Sequence, residues 1–277
     1  MNVVVRLSAL PLLCATQATV TDAAADAAIT SPIELRDNFP LLTVQVDGID
    51  VRLKFDLGDG DKLALQQSLL DRIGALPTGE TARLKGLYGA FEAPVYKVAR
   101  IHIGAIVFAD VIARLDVRDH TYKAGAQGDD GFLGTGLLKR FALVLDYPGE
   151  TMTPASRPAS GVMSDDCSGT AVPFSPEWKG QPATEAHIDQ GRVLLWWDTG
   201  SPVSALRTSL ARDDSEKINE DALTSKRLVI GGKDFGPMQF QLWDMNLPGF
   251  DGFIGYDFFA AHVVCIDFPG NRLLIGP

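Results

Sequence analysis

The chain has few residues of the two types that most often form structural metal sites, cysteine and histidine. Of its 277 residues only three are cysteine and four are histidine. There is no Cys-x-x-Cys or His-Glu-x-x-His motif, and the histidines are scattered, at His102, His120, His187 and His262. This pattern argues against a structural zinc site, and we expect neither a metal nor another cofactor.

Positive charge is also scarce, and so are long apolar runs. Lys and Arg number 25 against 35 Asp and Glu, which gives a formal net charge of −10. Nucleic acids and anionic membrane surfaces select basic patches, so neither is an expected partner. Beyond the first residues, no apolar run reaches the ~20 residues that a membrane-spanning helix needs. With 46% hydrophobic residues the sequence can still bury a sizeable core.

The first 25 residues have the character of a leader. They contain one positive charge at Arg6, then an apolar stretch, then small residues with a cleavage position after Ala18. We interpret residues 1–25 as a signal peptide or a disordered leader, and a signal peptide predicts export to the periplasm or the cell exterior. Without the leader two cysteines remain, Cys167 and Cys265, which form either one disulfide or two separate buried thiols.

Two sequence blocks occur twice, in the same order. Segment 43–58 (TVQVDGIDVRLKFDLG) aligns with 185–200 (EAHIDQGRVLLWWDTG), and 130–152 aligns with 251–273 through a shared Asp-Gly-Phe-aliphatic-Gly start and an Asp-aromatic-Pro-Gly turn. Each first block has the pattern of a β-hairpin that ends in an aspartate. This order indicates a duplication, with lobes over residues 30–152 and 170–277 and a Pro/Ser/Gly-rich linker over 153–169.

The rest of the sequence favours short strands and turns. Two strands meeting at Gly104 are expected over 96–117, and two more around Gly231-Gly232 over 227–245. Helical spacing after each aspartate predicts a turn or more of helix within 63–76 and within 203–213. The predicted fold class is all-β with short helices, arranged as two lobes related by a pseudo-twofold axis.

This arrangement resembles the pepsin/retropepsin superfamily of aspartic proteases in its two-lobed, single-chain form. The family pattern is an apolar strand running into Asp-Thr/Ser-Gly-Ser/Ala, followed later by two apolar residues and Gly. Residues 194–201 (LLWWDTGS) and 253–255 (FIG) match it in the second copy, and Asp56, Gly58 and 132–134 (FLG) match it in the first. The resemblance covers roughly residues 30–277.

The resemblance implies a catalytic pair, Asp56 and Asp198, one from each lobe. Two adjacent carboxylates share one proton, so that the ionised member can activate a water while the protonated member donates to a peptide carbonyl oxygen. Gly58 and Gly200 would permit tight loops. Thr199 would orient its loop, and Ser201 would hydrogen-bond Asp198.

A hairpin tip over 83–97, with glycines at 86 and 89, resembles the flap that closes over a bound peptide in this family. Tyr88 is the candidate flap tyrosine, and the alternative is an ordinary hairpin turn with an exposed tyrosine. The corresponding turn of the second copy, at Gly231-Gly232, is shorter and has no aromatic residue at its tip.

The first copy departs from the family pattern at Leu57, where the family has Thr or Ser. The resemblance implies that in the family each of these hydroxyls hydrogen-bonds to the loop of the other lobe, so that the two together clamp the lobes. Leucine has no polar group and cannot form such a bond. Asp59 and Asp61 add two carboxylates nearby. They line the cleft, bind a cation or are solvated turn residues, and we favour the last interpretation.

Three functions fit these patterns. The first is a monomeric aspartic endopeptidase acting on peptides or unfolded proteins. The second is a degenerate protease fold that binds peptide without efficient hydrolysis, for which Leu57 argues. The third is a homodimer in which Asp198 pairs with its own copy and the first lobe is structural.

Overall fold

The computed structural model describes residues 30–86, 89–117, 129–155, 168–175, 181–211, 217–219, 221–245 and 249–276. The fold is mostly β-structure in two lobes, so the predicted fold class is confirmed. The leader, Cys167, the candidate flap residue Tyr88 and most of the predicted linker lie outside the described residues.

The first lobe, as defined here, contains the strands β1–β10 and two short helices. The helices are α1 (Gln67–Arg72) and α2 (Thr135–Leu138). The strands are β1 (Ser31–Arg36), β2 (Phe39–Val46), β3 (Ile49–Asp56), β4 (Leu63–Leu65), β5 (Leu76–Gly86), β6 (Gly89–Ile103), β7 (Ile106–Leu115), β8 (Gly131–Gly134), β9 (Ala142–Asp146) and β10 (Thr151–Ala155).

The second lobe contains β11–β22, a short 3-10 helix (Thr208–Leu210) and α3 (Tyr256–Phe259). Its strands are β11 (Thr170–Pro173), β12 (Ala183–Ile188), β13 (Gly191–Trp197), β14 (Ala205–Arg207), β15 (Lys217–Asn219), β16 (Ala222–Ser225), β17 (Leu228–Ile230), β18 (Lys233–Asp234), β19 (Met238–Trp243), β20 (Gly252–Ile254), β21 (Val263–Asp267) and β22 (Arg272–Ile275).

The duplication seen in the sequence appears as a duplicated strand arrangement. In the first lobe β3 pairs in parallel with β8, which pairs antiparallel with β4. In the second lobe β13 pairs in parallel with β20, which pairs antiparallel with β14. The strand that leads into each aspartate is therefore held along one edge by the strand containing the Phe-aliphatic-Gly block.

In both lobes a carboxylate of the second repeated block accepts a hydrogen bond from the backbone of the first. The backbone N–H of Arg52 on β3 donates to Asp130 Oδ2 at 3.0 Å, and that of Leu194 on β13 donates to Asp251 Oδ2 at 2.8 Å. Because Asp130 and Asp251 directly precede β8 and β20, these bonds fix the register of the parallel pairs. This explains why Asp-Gly opens the second block in both copies.

The lobes share one sheet. Among the described residues, a 13-stranded sheet contains the consecutive strands β11-β22-β21-β9-β10-β1, in which β21 of the second lobe pairs antiparallel with β9 of the first. On β21, Cys265 forms a disulfide whose partner lies outside the described residues. A 9-stranded sheet completes the second lobe. The shared sheet fixes the two lobes relative to each other.

The turn or more of helix predicted after each aspartate is present in both copies. Leu63–Leu65 form the fully buried strand β4 between β8 and β7, so α1 begins only at Gln67, and in the second copy β14 is followed by a single 3-10 turn. Pairing within the sheet outweighs helical periodicity there. The strand pairs expected around Gly104 and Gly231-Gly232 are present. No helix in the described residues is long and apolar enough to cross a membrane.

Candidate active site

The loops that carry Asp56 and Asp198 face each other where the lobes meet. Asp56 ends β3 and Asp198 follows β13, and both residues are half-buried. Each loop has a glycine packed directly against the other lobe's aspartate. A Cβ on Gly58 would lie 2.6 Å from Asp198 Oδ1, and one on Gly200 would lie 2.5 Å from Asp56 Cγ.

The requirement for these two glycines is therefore space rather than backbone freedom. Neither glycine has the positive φ that only glycine adopts readily, whereas turn residues such as Gly48 do. Any side chain at Gly58 or Gly200 would push an aspartate away. Both loops are tight turns, closed by hydrogen bonds from the Asp59 N–H to the Asp56 carbonyl at 3.2 Å and from the Ser201 N–H to the Asp198 carbonyl at 3.3 Å. Within these turns the two glycines also let the carboxylates approach.

The Asp56 carboxylate lies close enough to Asp198 to alter its ionisation. Burial raises the pKa of Asp198 well above its ordinary value, and the negative charge of Asp56 raises it further. The Gly200 N–H donates to Asp198 Oδ1 at 2.8 Å and lowers the pKa of Asp198, but this effect is smaller than the two that raise it. The pair therefore retains one proton over a pH range in which isolated aspartates are ionised.

Thr199 connects its loop to the other lobe with two hydrogen bonds. Its hydroxyl accepts from the Leu57 N–H at 2.9 Å and donates to the Phe55 carbonyl oxygen at 2.8 Å. Leu57 is fully buried in the hydrophobic core and contributes no side-chain hydrogen bond. The clamp implied by the family resemblance is therefore present in one direction, from the second lobe onto the first loop.

Gln181 provides a further contact in the same direction, which the sequence did not predict. Its side-chain amide donates to the Gly58 carbonyl oxygen, and the residue is only 8% exposed. Gln181 lies just before β12 and belongs to neither repeated block, so no motif draws attention to it. The first loop is thus held by two side chains of the second lobe, Thr199 and Gln181.

The second loop is held from within its own lobe. The Ser201 N–H donates to the Asp198 carbonyl oxygen at 3.3 Å, while the Ser201 hydroxyl donates to the Val203 carbonyl oxygen at 2.7 Å, so Ser201 bonds Asp198 through its backbone and not through its side chain. A serine hydroxyl close to its own turn satisfies itself locally. Behind the loop, Ser204 Oγ donates to Asp257 at 2.6 Å and accepts from the Gly255 N–H at 2.9 Å.

Asp59 and Asp61 are not solvated turn residues, so the favoured interpretation of them is wrong. Arg114, at the end of β7, contacts Asp59 Oδ2 at 2.6 Å and Asp61 Oδ2 at 3.0 Å and is only 6% exposed. Burial alone would lower the pKa of Arg114, but the two aspartates reverse this and the pKa is raised. A buried guanidinium therefore balances the extra carboxylates of the first loop.

The hairpin predicted over 83–97 is formed by β5 and β6, which pair up to Gly86 and Gly89. Ala82 and Val95 of this hairpin line a cavity of about 380 Å³ together with Asp61 and Arg114. The hairpin therefore stands beside the first loop, while the role of Tyr88 stays a prediction. Within the described residues, no group of three His, Cys, Asp or Glu side chains is placed to hold a metal ion.

The fold is similar to that of a solved aspartic proteinase. The crystal structure of aspartic proteinase from Irpex lacteus matches with a TM-score of 0.64 and 14% sequence identity, over 90% of this chain and 97% of that chain. No protein-family model and no curated protein matches the sequence. At this identity the likeness concerns the fold alone, so the roles of Asp56 and Asp198 have to be argued from the geometry of the site.

We expect Gly200→Ala to separate the two loops. Its Cβ would meet Asp56, so the substitution should destabilise the protein by about 1–3 kcal/mol and lower the pKa of Asp198. Carboxyl ¹³C NMR titration and chemical denaturation measure the two effects. Gly191→Ala is the control. A Cβ there would contact no other atom, but the backbone φ of 122° is strained for alanine. The Gly191→Ala variant should lose stability while the pKa of Asp198 stays the same. If the pKa of Asp198 is also unchanged in Gly200→Ala, the close packing of Gly200 against Asp56 is contradicted.

We expect Asp198→Asn to stabilise the folded protein at pH 7. The folded state holds the Asp198 proton more tightly than the unfolded chain, so ionisation costs stability as the pH rises from the ordinary aspartate pKa through the raised one. The amide removes this cost, and we expect a gain of ~1 kcal/mol or more at pH 7. The gain should shrink towards pH 4. Asp251→Asn, which alters a carboxylate that accepts a backbone N–H, should show no gain.

We expect Arg114→Gln to destabilise the protein strongly, because it leaves two partly buried carboxylates without their cation. Breaking a buried ion pair costs about 3–5 kcal/mol. The control is Arg83→Gln, which breaks an exposed pair with Glu92 whose side chains are 86% and 59% exposed. That change should have little effect. Equal losses in the two variants, measured by urea denaturation, would show that Arg114 is only a surface charge.

Proposed function

We propose that the protein is an aspartic-type endopeptidase that hydrolyses peptide bonds with a water activated between Asp56 and Asp198. The observation that carries this proposal is the reciprocal packing of Gly58 and Gly200 against the opposite aspartates. It supports a shared-proton pair at the meeting point of two lobes. The similarity to a solved aspartic proteinase supports the same conclusion at the level of the fold.

The chemistry follows from the single proton of the pair. The ionised carboxylate removes a proton from a water lying between the two groups, and the protonated carboxyl donates to the carbonyl oxygen of the scissile peptide bond. The water oxygen bonds to the carbonyl carbon and gives a tetrahedral diol. As the diol collapses, one carboxylate removes a diol O–H proton and the other carboxyl protonates the leaving nitrogen, so that the C–N bond breaks and the pair again holds one proton. No covalent bond to the protein forms at any stage. The proton belongs to the pair rather than to either residue.

The substrate is a peptide or an unfolded protein segment. The β5–β6 hairpin beside the first loop supports an extended substrate that lies between the hairpin and the two aspartates. A single in-chain pair also favours a monomer, since both carboxylates come from one chain. The sequence-based prediction of export belongs to this proposal, because residues 1–29 lie outside the described residues.

Leu57 favours a second candidate, a fold that binds peptide without efficient hydrolysis. Its apolar side chain removes one half of the inter-lobe clamp. Against this, Thr199 and Gln181 still hold the first loop from the second lobe. The position of Asp56 is therefore determined without the missing hydroxyl, and hydrolysis remains the better-supported function.

The test is hydrolysis of an unfolded protein by the wild type, Asp56→Asn and Asp198→Asn over pH 3 to 8. The wild type should give a bell-shaped pH profile. Activity falls at low pH when both carboxyls are protonated, and falls again above the raised pKa of Asp198 when both are ionised. Each Asn variant should lose at least about 100-fold in kcat/KM. Asp110→Asn, whose side chain is 58% exposed, is the control and should retain full activity.

The possible results separate the three candidate functions. A wild type that binds peptide and cleaves none at any pH supports the binding fold. Full activity in Asp56→Asn with none in Asp198→Asn supports a homodimer built on Asp198, which sedimentation would then show. Activity that survives in both Asn variants rejects the pair as the catalytic group.

A further inference from the structure

Tyr147 lies at the centre of the contact between the lobes, although neither the motif nor the proposed mechanism uses it. It directly follows β9 of the first lobe and is only 2% exposed. Its ring stacks on Phe259 with centroids 5.3 Å apart and tilts against Tyr256 at 6.1 Å. Both partners belong to α3 of the second lobe, so the ring is fixed from the opposite lobe.

The Tyr147 hydroxyl is buried and makes no hydrogen bond of ordinary length and angle in the structure. Thr199, Asp198 and Asp56 all lie near enough to this hydroxyl to influence its ionisation. Burial raises the pKa of this phenol well above its usual value, so the group stays a neutral donor at any working pH. A buried donor of this kind costs free energy unless a partner is near.

Thr199 Oγ1 has the one acceptor position that this donor needs. The oxygen donates its own proton to the Phe55 carbonyl and accepts from the Leu57 N–H. A hydroxyl oxygen has two lone pairs, so one remains for the Tyr147 O–H. A small reorientation of the phenol would complete a chain from Tyr147 through Thr199 to the Phe55 carbonyl, which directly precedes Asp56.

The duplication shows that this hydroxyl is specific to one copy. The turn Asp146-Tyr147-Pro148-Gly149 corresponds to Asp267-Phe268-Pro269-Gly270 in the second lobe. Phe268 packs edge-on against Phe174 at 6.2 Å and carries no hydroxyl. The copy that lost a hydroxyl at Leu57 is thus the copy that has one at Tyr147.

We propose that Tyr147 is a positioning residue for the aspartate pair, its hydroxyl donating to Thr199 and holding the one clamp hydroxyl that the protein retains. Its effect on rate rests on the proposed peptidase function, but its effect on the aspartates does not. The donated proton points the positive end of the O–H dipole towards the loops. That orientation stabilises the singly charged state of the Asp56–Asp198 pair.

A charged residue outside the pair also acts on Asp198, namely Asp59, which is itself held by Arg114. Tyr256 lies next to the Tyr147 ring. All three residues are retained in every variant below. Removing only the Tyr147 hydroxyl should therefore raise the lower pKa of the pair, because the singly charged state loses a favourable dipole.

The experiment compares Tyr147→Phe with Ser225→Ala, which removes a buried hydroxyl that donates to the Arg227 carbonyl oxygen at 2.6 Å in the second lobe. In Tyr147→Phe we expect kcat to fall about fivefold with KM unchanged, and the acidic limb of the pH profile to move to higher pH. Ser225→Ala should change neither the kinetic constants nor the pH profile. In a Thr199→Val background Tyr147→Phe should have no additional effect, since the hydroxyl acts through Thr199.

Carboxyl ¹³C NMR of the aspartate pair provides a readout that needs no activity. An upward shift of the lower pKa in Tyr147→Phe supports the proposal, even if the wild type hydrolyses nothing and the peptidase function fails. An unchanged pKa overturns the proposal, whatever the activity. If Tyr147→Phe does not fold, the Tyr147 hydroxyl proton is examined by NMR in the wild-type protein. Slow exchange of this proton with water and proximity to Thr199 support the hydrogen bond, and fast exchange rejects it.

Discussion

The structure depends on the face-to-face approach of two loops that each carry an aspartate. Two neighbouring carboxylates repel each other unless they share a proton, so the rest of the protein must hold them together. The parallel pairs β3–β8 and β13–β20 fix where each aspartate emerges, and the sheet shared through β9 and β21 fixes the lobes. Gly58 and Gly200 then leave the space in which the carboxylates meet.

The two copies carry different side chains at several positions around this meeting point. Thr199 faces Leu57, and Tyr147 corresponds to Phe268. Two residues before each aspartate, Lys54 corresponds to Trp196, and the Lys54 ammonium lies 3.6 Å from the centre of the Phe39 ring. The backbone arrangement has remained symmetric while the side chains have become specialised. The first loop is consequently held by the second lobe, whereas the second loop is held by hydrogen bonds of its own lobe.

Sequence reasoning succeeded where a pattern is repeated and failed where a contact is made once. The blocks around Asp56 and Asp198 align, so the hairpins and the position of each aspartate at a strand end could be predicted. Arg114 could not be matched with Asp59 and Asp61, because it lies more than 50 residues away and belongs to no motif. Gln181 was missed for the same reason. The periodicity of 63–76 predicted the short helix α1, but it cannot show that Leu63–Leu65 form a strand between β8 and β7.

The charge distribution around the first loop explains why a buried arginine is needed there. Asp56, Asp59, Asp61 and Asp198 are concentrated near the junction of the two lobes in a protein of net charge −10. The charge of Asp59 already contributes to the raised pKa of Asp198. Without Arg114, two further uncompensated carboxylates would raise that pKa again and drive the loops apart. The guanidinium therefore protects the shared proton of the pair indirectly, by neutralising the aspartates that do not take part in it.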